Sequence, residues 1–201
     1  MGAGSANGAS GAPGPLLSPE GLMREALRLA AQAAEEGEVP VGAVVARQGR
    51  IVGRGRNRRE RGRNALAHAE LEAIDEACRT LGGWRLFGCE LYVTLEPCPM
   101  CAGAIINARL DKVVFGAADP KAGSCGSVVD LFALPYNHRP ACEGGFLREE
   151  CAAQLTGFFR SLREQRSALR EQRSALREQR SVLREQRDCG QEAGSGPPST
   201  P

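Results

Sequence analysis

The sequence predicts an α/β domain in which helices cover a mixed β-sheet. Stretches with helical periodicity alternate with short apolar runs that are typical of buried strands. Two of the predicted strands are separated only by Gln48-Gly49, as in a hairpin. The order is helix, hairpin, helix, strand, helix, strand and helix, and this alternation favours the α/β class.

The first half of the domain supplies a helix, the hairpin and a second helix. Ser18-Pro19-Glu20 predicts a helix start, and the periodic stretch LMREALRLAAQAAEEG follows until Gly37 and Pro40 end it. The stretch VPVGAVVARQGRIVGRGRN predicts the two hairpin strands. ALAHAELEAIDEACRTLG predicts the second helix, which Gly82-Gly83 closes.

The second half supplies two more strands and two more helices. CELYVTLEP is a nearly continuous apolar run, as expected for a buried strand. We expect Pro97 to open the third helix, PCPMCAGAIINARL, because proline is favoured in the first turn. DKVVFGAAD predicts a further strand, and LREECAAQLTGFFRSLREQ begins a late helix.

Composition divides the chain into four parts. Residues 1–18 are almost entirely Gly, Ala, Ser, Pro and Leu and predict a disordered tail. Residues 19–166 form the predicted domain, 167–187 a heptad-repeat helical extension, and 188–201 a second disordered tail.

The extension repeats a seven-residue unit, LREQRSA, from Leu162 onward. A heptad suggests a coiled coil, but Gln165 and its equivalents stand where the second apolar position should be. Instead, arginines at three- and four-residue spacing form one basic stripe, which consists of Arg163, Arg166, Arg170, Arg173, Arg177, Arg180, Arg184 and Arg187. Two interpretations stay open: a solvated helix, or a helix that lies along a phosphate backbone.

The overall composition excludes several classes of protein. The 201 residues are 42% hydrophobic and 25% charged, with a formal net charge of +2, which does not by itself require a nucleic-acid partner. Neither a signal peptide nor a transmembrane span is evident, and Arg24 is the first basic residue, so we expect a cytoplasmic protein that is not bound to a membrane. Most of the eight cysteines are scattered rather than arranged as a disulfide framework. No role is assigned to Cys78, Cys89, Cys125, Cys142, Cys151 and Cys189.

Two short motifs at successive predicted helix starts contain metal-binding residue types. His68 and Glu70 form H-x-E, and Cys98 and Cys101 form P-C-x-x-C. One imidazole and two thiolates suit zinc, and three protein ligands leave a fourth position for water, as in catalytic zinc sites. Glu70 could then transfer protons. A redox cysteine pair and a fourth ligand at Cys89 are the alternatives.

These motifs resemble the zinc-dependent nucleobase and nucleoside deaminase superfamily. The segments GRGRN, AHAELEAI, LYVTLEPCPMCAGAIINARL, KVVFGAADPKAGSCGS, YNHRP and ECAAQLTGFFR are further similar to the bacterial tRNA-specific adenosine deaminases. The resemblance runs from about Leu22 to Arg166. It implies a three-layer cytidine deaminase-like fold with a mixed five-stranded sheet, here followed by a C-terminal repeat helix.

The resemblance also implies an activity, which is hydrolytic deamination of the wobble adenosine of a tRNA anticodon to inosine. His68, Cys98 and Cys101 would bind one zinc ion per subunit, Glu70 would be the proton shuttle, and Asn57 would contact the flipped base. The other residues implied to bind the anticodon are Asp119, Lys121, Ser124, Asn137, His138 and Arg139. The family acts as a homodimer on tRNA.

Two alternatives share part of this prediction. A guanine, cytosine or nucleoside deaminase would use the same zinc chemistry, although DPKAGS and YNHR favour the tRNA branch. An inactive, zinc-stabilised RNA-binding scaffold would keep the metal but would have no use for Glu70. The loop Asn64-Ala65-Leu66 departs from the polar, proline-containing loop that is frequent in the family.

Overall fold

The computed structural model describes residues 15–192. Five strands form one sheet in the order β2-β1-β3-β4-β5. The helices are α1 (Pro19–Glu35), α2 (Arg59–Gly62), α3 (Ala69–Leu81), α4 (Pro99–Ala108) and α5 (Arg148–Glu192). The strands are β1 (Gly42–Arg47), β2 (Arg50–Arg56), β3 (Cys89–Leu95), β4 (Lys112–Ala117) and β5 (Ala141–Gly144).

The sheet is mixed, as predicted. Strand β1 pairs antiparallel with both β2 and β3, whereas β3 with β4 and β4 with β5 are parallel. Gln48 (φ 50°) and Gly49 (φ 73°) both have positive φ at the hairpin turn, which matches the right-handed twist of the two strands. Strand β5 was expected only from the family resemblance, because all four of its residues are exposed and lack an alternating apolar pattern.

Each face of the sheet is covered by helices, which makes three layers. On one face, Val45, Leu91 and Val93 pack with the apolar residues of α3 and α4. On the other, Val44 and Tyr92 pack with α1 and the start of α5. Neighbouring residues of one strand thus enter opposite cores, because successive side chains of a strand point to opposite faces.

Helix α4 begins two residues later than predicted. Pro99 is its first residue and Cys98 is the N-cap, with extended dihedrals (φ −74°, ψ 173°), so the expectation that Pro97 opens the helix is wrong. A residue that precedes proline is disfavoured in the helical region, so Pro99 holds Cys98 outside the helix. The Pro97 carbonyl accepts a hydrogen bond from the Ser124 N–H instead.

The C-terminal repeats are helical, as predicted, because α5 continues to Glu192. The described residues divide into two compact units between Phe158 and Phe159. Residues 15–18 are ordered, since the Leu17 N–H donates to the Gly49 carbonyl. Residues 188–192 are helical although a tail was predicted from 188, and residues 1–14 and 193–201 lie outside the described residues, so the boundaries at 18, 166 and 188 stay predictions.

No helix of the described part of the chain is both long and apolar enough to cross a membrane.

Candidate metal centre and active site

Two helix N-termini meet at the carboxyl end of β3. His68 is the N-cap of α3 and Cys98 is the N-cap of α4, and both have extended dihedrals. Cys101 follows in the first turn of α4 and is buried. The positive ends of the two helix dipoles therefore lie beside the thiols of Cys98 and Cys101 and favour their deprotonated forms, which bind a metal.

The three side chains are arranged as a metal site requires. His68 Nδ1 lies 3.7 Å from Cys98 Sγ and 3.5 Å from Cys101 Sγ. All three candidate ligand atoms lie within 4.8 Å of one another. A tetrahedral zinc ion with ordinary Zn–N and Zn–S bond lengths would separate its nitrogen and sulfur ligands by about 3.6 Å. The donor set therefore fits zinc in both chemistry and spacing.

The hydrogen bonds between the three side chains shift their pKa values and leave one thiol deprotonated. A hydrogen bond from the Cys101 thiol and the interaction with His68 together outweigh the effect of burial and lower the pKa of Cys98 to about 4. The pKa of Cys101 is raised because it donates that hydrogen bond and is itself buried. The hydrogen bond with Cys98 also raises the pKa of His68. The site thus holds one thiolate at neutral pH, and a metal would displace the proton of the second thiol.

Glu70 is a buried carboxyl beside this site. It lies in the first turn of α3 and only 4% of its surface is exposed. Burial raises its pKa to about 7, and the negative charge of Cys98 raises it as well. A carboxyl with a pKa near neutrality can both accept and donate a proton at that pH.

A cavity of about 210 Å³ lies next to the metal ligands. Its wall combines five apolar residues with six polar or charged ones and Cys98, so several hydrogen-bonding groups are available to orient a ligand. The polar residues that line it include Asn57, Arg59, His68, Glu70, Glu96 and Asp119. Of the sequence-predicted site residues, the structure brings Asn57, His68, Glu70, Cys98 and Asp119 to this one cavity.

Glu96, which none of the sequence motifs singles out, organises the loop after β4. Its carboxylate is 2% exposed and accepts hydrogen bonds from the N–H groups of Asp119, Cys125 and Ser127, each at 3.0 Å, and from the Ser127 hydroxyl. Burial opposes ionisation of Glu96, but these hydrogen bonds outweigh it and lower its pKa. A charged residue at the end of an apolar strand run was the available signal, since such a group must be paired when buried.

The loop that Glu96 holds carries three of the predicted substrate residues. Asp119 lines the cavity, and its Oδ1 accepts the Lys121 N–H at 2.9 Å. Lys121 is exposed. Ser124 is buried, and its hydroxyl donates to the Ala122 carbonyl at 3.1 Å, so it supports the loop.

The predicted residues 137–139 lie away from the cavity. Asn137 accepts a hydrogen bond from the Arg109 guanidinium, and His138 Nε2 lies 2.6 Å from the Leu110 carbonyl oxygen. Arg109 and Leu110 directly follow α4, whose ten residues span about 15 Å from the end where Cys98 lies. The structure therefore does not bring this segment to the metal site.

Cys89 also lies away from the metal site. It is buried at the first position of β3, while the site follows the last position about 20 Å along the strand. Among the described residues, the candidate metal group contains only one histidine and two cysteines.

Comparisons with known proteins agree with this site. The MafB19-like deaminase family matches residues 17–163. The five-stranded mixed sheet and the H-x-E and P-C-x-x-C residues at one cavity thus define a deaminase with the cytidine deaminase-like fold.

Individual relatives indicate which branch of the deaminases the chain is most similar to. The chain is 50% identical over 154 residues to the tRNA-specific adenosine deaminase of Bacillus subtilis (strain 168). The aligned region covers 76% of this chain and 96% of that relative. A solved structure of a tRNA:A34 deaminase that edits A to I at the wobble position of transfer RNA shares 44% identity, with a TM-score of 0.65 over 67% of this chain and 98% of that one. The guanine deaminase of Nitrosomonas europaea shares 26%, with a TM-score of 0.60 over 73% and 87%. This chain belongs to the family of tRNA-specific adenosine deaminases.

Proposed function

We propose that this protein deaminates the wobble adenosine of a tRNA anticodon to inosine by hydrolysis. The observation that carries the proposal is the pairing of the His68, Cys98 and Cys101 donor set with the buried Glu70 at one cavity. The 50% identity to a tRNA-specific adenosine deaminase supports the choice of substrate.

We infer that the metal is zinc, one ion per subunit, held by His68, Cys98 and Cys101. Zinc supplies an electrophilic centre that makes a water molecule acidic enough to serve as nucleophile near pH 7. The low pKa of the Cys98 thiol favours the ligand form at neutral pH.

Glu70 is the proposed proton carrier. Hydrolysis of the amino group at C6 of adenine consumes one water and releases ammonia, so a proton must leave the water and reach the departing nitrogen. A carboxyl whose pKa burial raises to about 7 can take that proton and return it without a large energetic cost in either direction. Its position in the first turn of α3, two residues after His68, supports this role.

The cavity is the proposed base pocket. Drug-sized ligands occupy pockets of about 300 Å³ or more, so a 210 Å³ cavity suits a single extruded base rather than a whole nucleotide. The apolar walls at Val39, Val41 and Leu95 can contact the faces of a purine, and Asn57 offers it an amide group.

The remaining substrate contacts extend the same proposal. Asp119 and Lys121 lie on the loop at the cavity and are proposed to contact the nucleotides that flank the wobble base, with Ser124 supporting that loop. Asn137, His138 and Arg139 are proposed to contact RNA outside the base pocket. We further propose that the protein acts as a homodimer in the cytoplasm, as the family resemblance implies.

The principal alternative is deamination of free guanine. Both the identity and the TM-score favour the tRNA deaminase, at 44% and 0.65 against 26% and 0.60. The alternative of an inactive RNA-binding scaffold is disfavoured by Glu70, because a zinc ion that only stabilises the fold has no use for a proton carrier beside it.

The test is an inosine assay on an anticodon stem-loop that carries adenosine at the wobble position. We expect about one zinc per chain and conversion to inosine, with free guanine and cytidine unchanged. Glu70→Gln should keep the zinc and lose turnover. Deamination of guanine or cytidine with an untouched stem-loop would reject the tRNA substrate, and an active Glu70→Gln enzyme would reject the proton carrier.

A further inference from the structure

Glu38 is a fully buried carboxylate that neither metal binding nor proton transfer uses. It lies between α1 and β1 and has no exposed surface. Its Oε1 accepts the Arg61 N–H at 2.7 Å, and its Oε2 accepts the Glu60 N–H at 3.2 Å and the Asn57 side-chain amide at 3.5 Å. A buried carboxyl group needs hydrogen-bond donors to compensate for the water that it loses, and these three donors supply that compensation for Glu38.

The first consequence concerns the orientation of Asn57. Its Nδ2 donates to Glu38 and also to the Val39 carbonyl, at 3.3 Å. Both hydrogens of the amide therefore donate to acceptors inside the protein. The group that Asn57 can offer a ligand in the cavity is therefore its oxygen, a hydrogen-bond acceptor.

The second consequence concerns α2. A helix of four residues is far too short to be stable by itself, so it needs external contacts to keep its position. Glu38 supplies two of them, at Glu60 and Arg61. Arg59 of the same helix lines the cavity, so Glu38 fixes two separate parts of the cavity wall at once.

We propose that Glu38 is a positioning residue for the substrate, which presents the Asn57 oxygen to the base pocket and fixes α2 where its Arg59 lines that pocket. The proposal rests on the proposed function for the identity of the substrate. Glu38 acts through Asn57 and α2, and it does not touch the reacting atoms. A purely apolar replacement could fill the same volume, but it could not hold the amide in one of its two orientations.

The test is a double-mutant cycle with Glu38→Gln and Asn57→Ala. Glutamine keeps the shape of Glu38 but presents an amide NH₂ to groups that are themselves donors, so it should release Asn57 or α2. We expect kcat/KM on the anticodon stem-loop, normalised to bound zinc, to fall about 10- to 100-fold, since misplacing a bound group by about 1 Å can cost about 100-fold. The zinc content should not change.

The cycle separates positioning from a structural role. If Glu38 acts through Asn57, adding Glu38→Gln to Asn57→Ala should lower kcat/KM much less than it does in the wild-type background. The matched control is Glu36→Gln, because Glu36 contacts Arg61 at 3.5 Å and Arg56 at 2.7 Å but does not line the cavity. Its kcat/KM should stay within about twofold of wild type, because glutamine keeps a hydrogen-bond acceptor for Arg56 and Arg61.

Two results would overturn the proposal. One is unchanged kcat/KM for zinc-loaded Glu38→Gln, and the other is fully multiplicative effects of the two substitutions. The rate of the wild-type enzyme on the stem-loop tests the proposed function separately. If the wild type deaminates guanine instead, the same double-mutant cycle can be measured with guanine as the substrate.

Discussion

Substituting Gly55 by alanine should damage the active site through the backbone of α3. Gly55 lies in β2, where the strand and helix touch directly. A Cβ atom there would overlap the Ala69 carbonyl oxygen and would lie 2.6 Å from the Ala73 nitrogen and 2.9 Å from the Glu72 Cβ. Carbon atoms in contact normally stand about 3.5–4.0 Å apart, so the start of α3 must move by about 1 Å.

That displacement has two measurable effects. Forcing extra volume into a packed contact costs about 1–3 kcal/mol of the free energy of unfolding. The moving segment also carries His68 and Glu70, the two residues on either side of Ala69. Because a shift of about 1 Å can cost about 100-fold in rate, we expect kcat on the stem-loop to fall about 10- to 100-fold.

Gly53→Ala is the matched control. It creates the same kind of overlap with α3 one turn later, at Ala73 and Ala77, away from the metal site. Urea unfolding should show a similar loss of stability for both variants, whereas the zinc-normalised kcat should fall further for Gly55→Ala. Unchanged stability of Gly55→Ala, or equal kcat losses, would refute the argument.

Three further predictions concern other parts of the protein. Folding raises the pKa of the Glu70 carboxyl from 4.5 to about 7, so the folded protein binds more protons and its free energy of unfolding should fall as pH rises through this window. In urea unfolding of the metal-free proteins, the free energy of unfolding of Glu70→Gln should be about 3 kcal/mol higher than that of the wild type above pH 7 and equal to it below pH 4.5. Glu96→Gln replaces an acceptor that faces several N–H donors, and we expect a loss of about 1–3 kcal/mol in the same measurement, whereas wild-type stability would show that the loop does not depend on the carboxylate. If the arginine stripe contacts phosphates, deletion after Arg166 removes six of its arginines, so tRNA binding should weaken and its slope against log salt should fall by up to about 5. An unchanged slope would assign the stripe to solvent.

The failures of sequence analysis have identifiable physical causes. Strand β5 is exposed at the edge of the sheet, so no apolar pattern marks it. Helix α2 has four residues and depends on hydrogen bonds to Glu38, which is more than twenty residues away in sequence. The start of α4 was misplaced because two prolines compete for the same role, and the conformational restriction that Pro99 places on Cys98 decides between them.

The sequence by itself determined the order of the main elements and the three residues of the candidate metal site. Both follow from local rules, since periodicity reports which face of an element is buried, and the spacing in H-x-E and P-C-x-x-C is set within one helical turn. Only the tertiary structure decided which distant groups complete the site. It brings Glu38 to Asn57 and Glu96 to Asp119, and it leaves 137–139 at the opposite end of α4. Buried carboxylates must find donors wherever the fold supplies them, and those donors come from segments that the local pattern around each carboxylate does not specify.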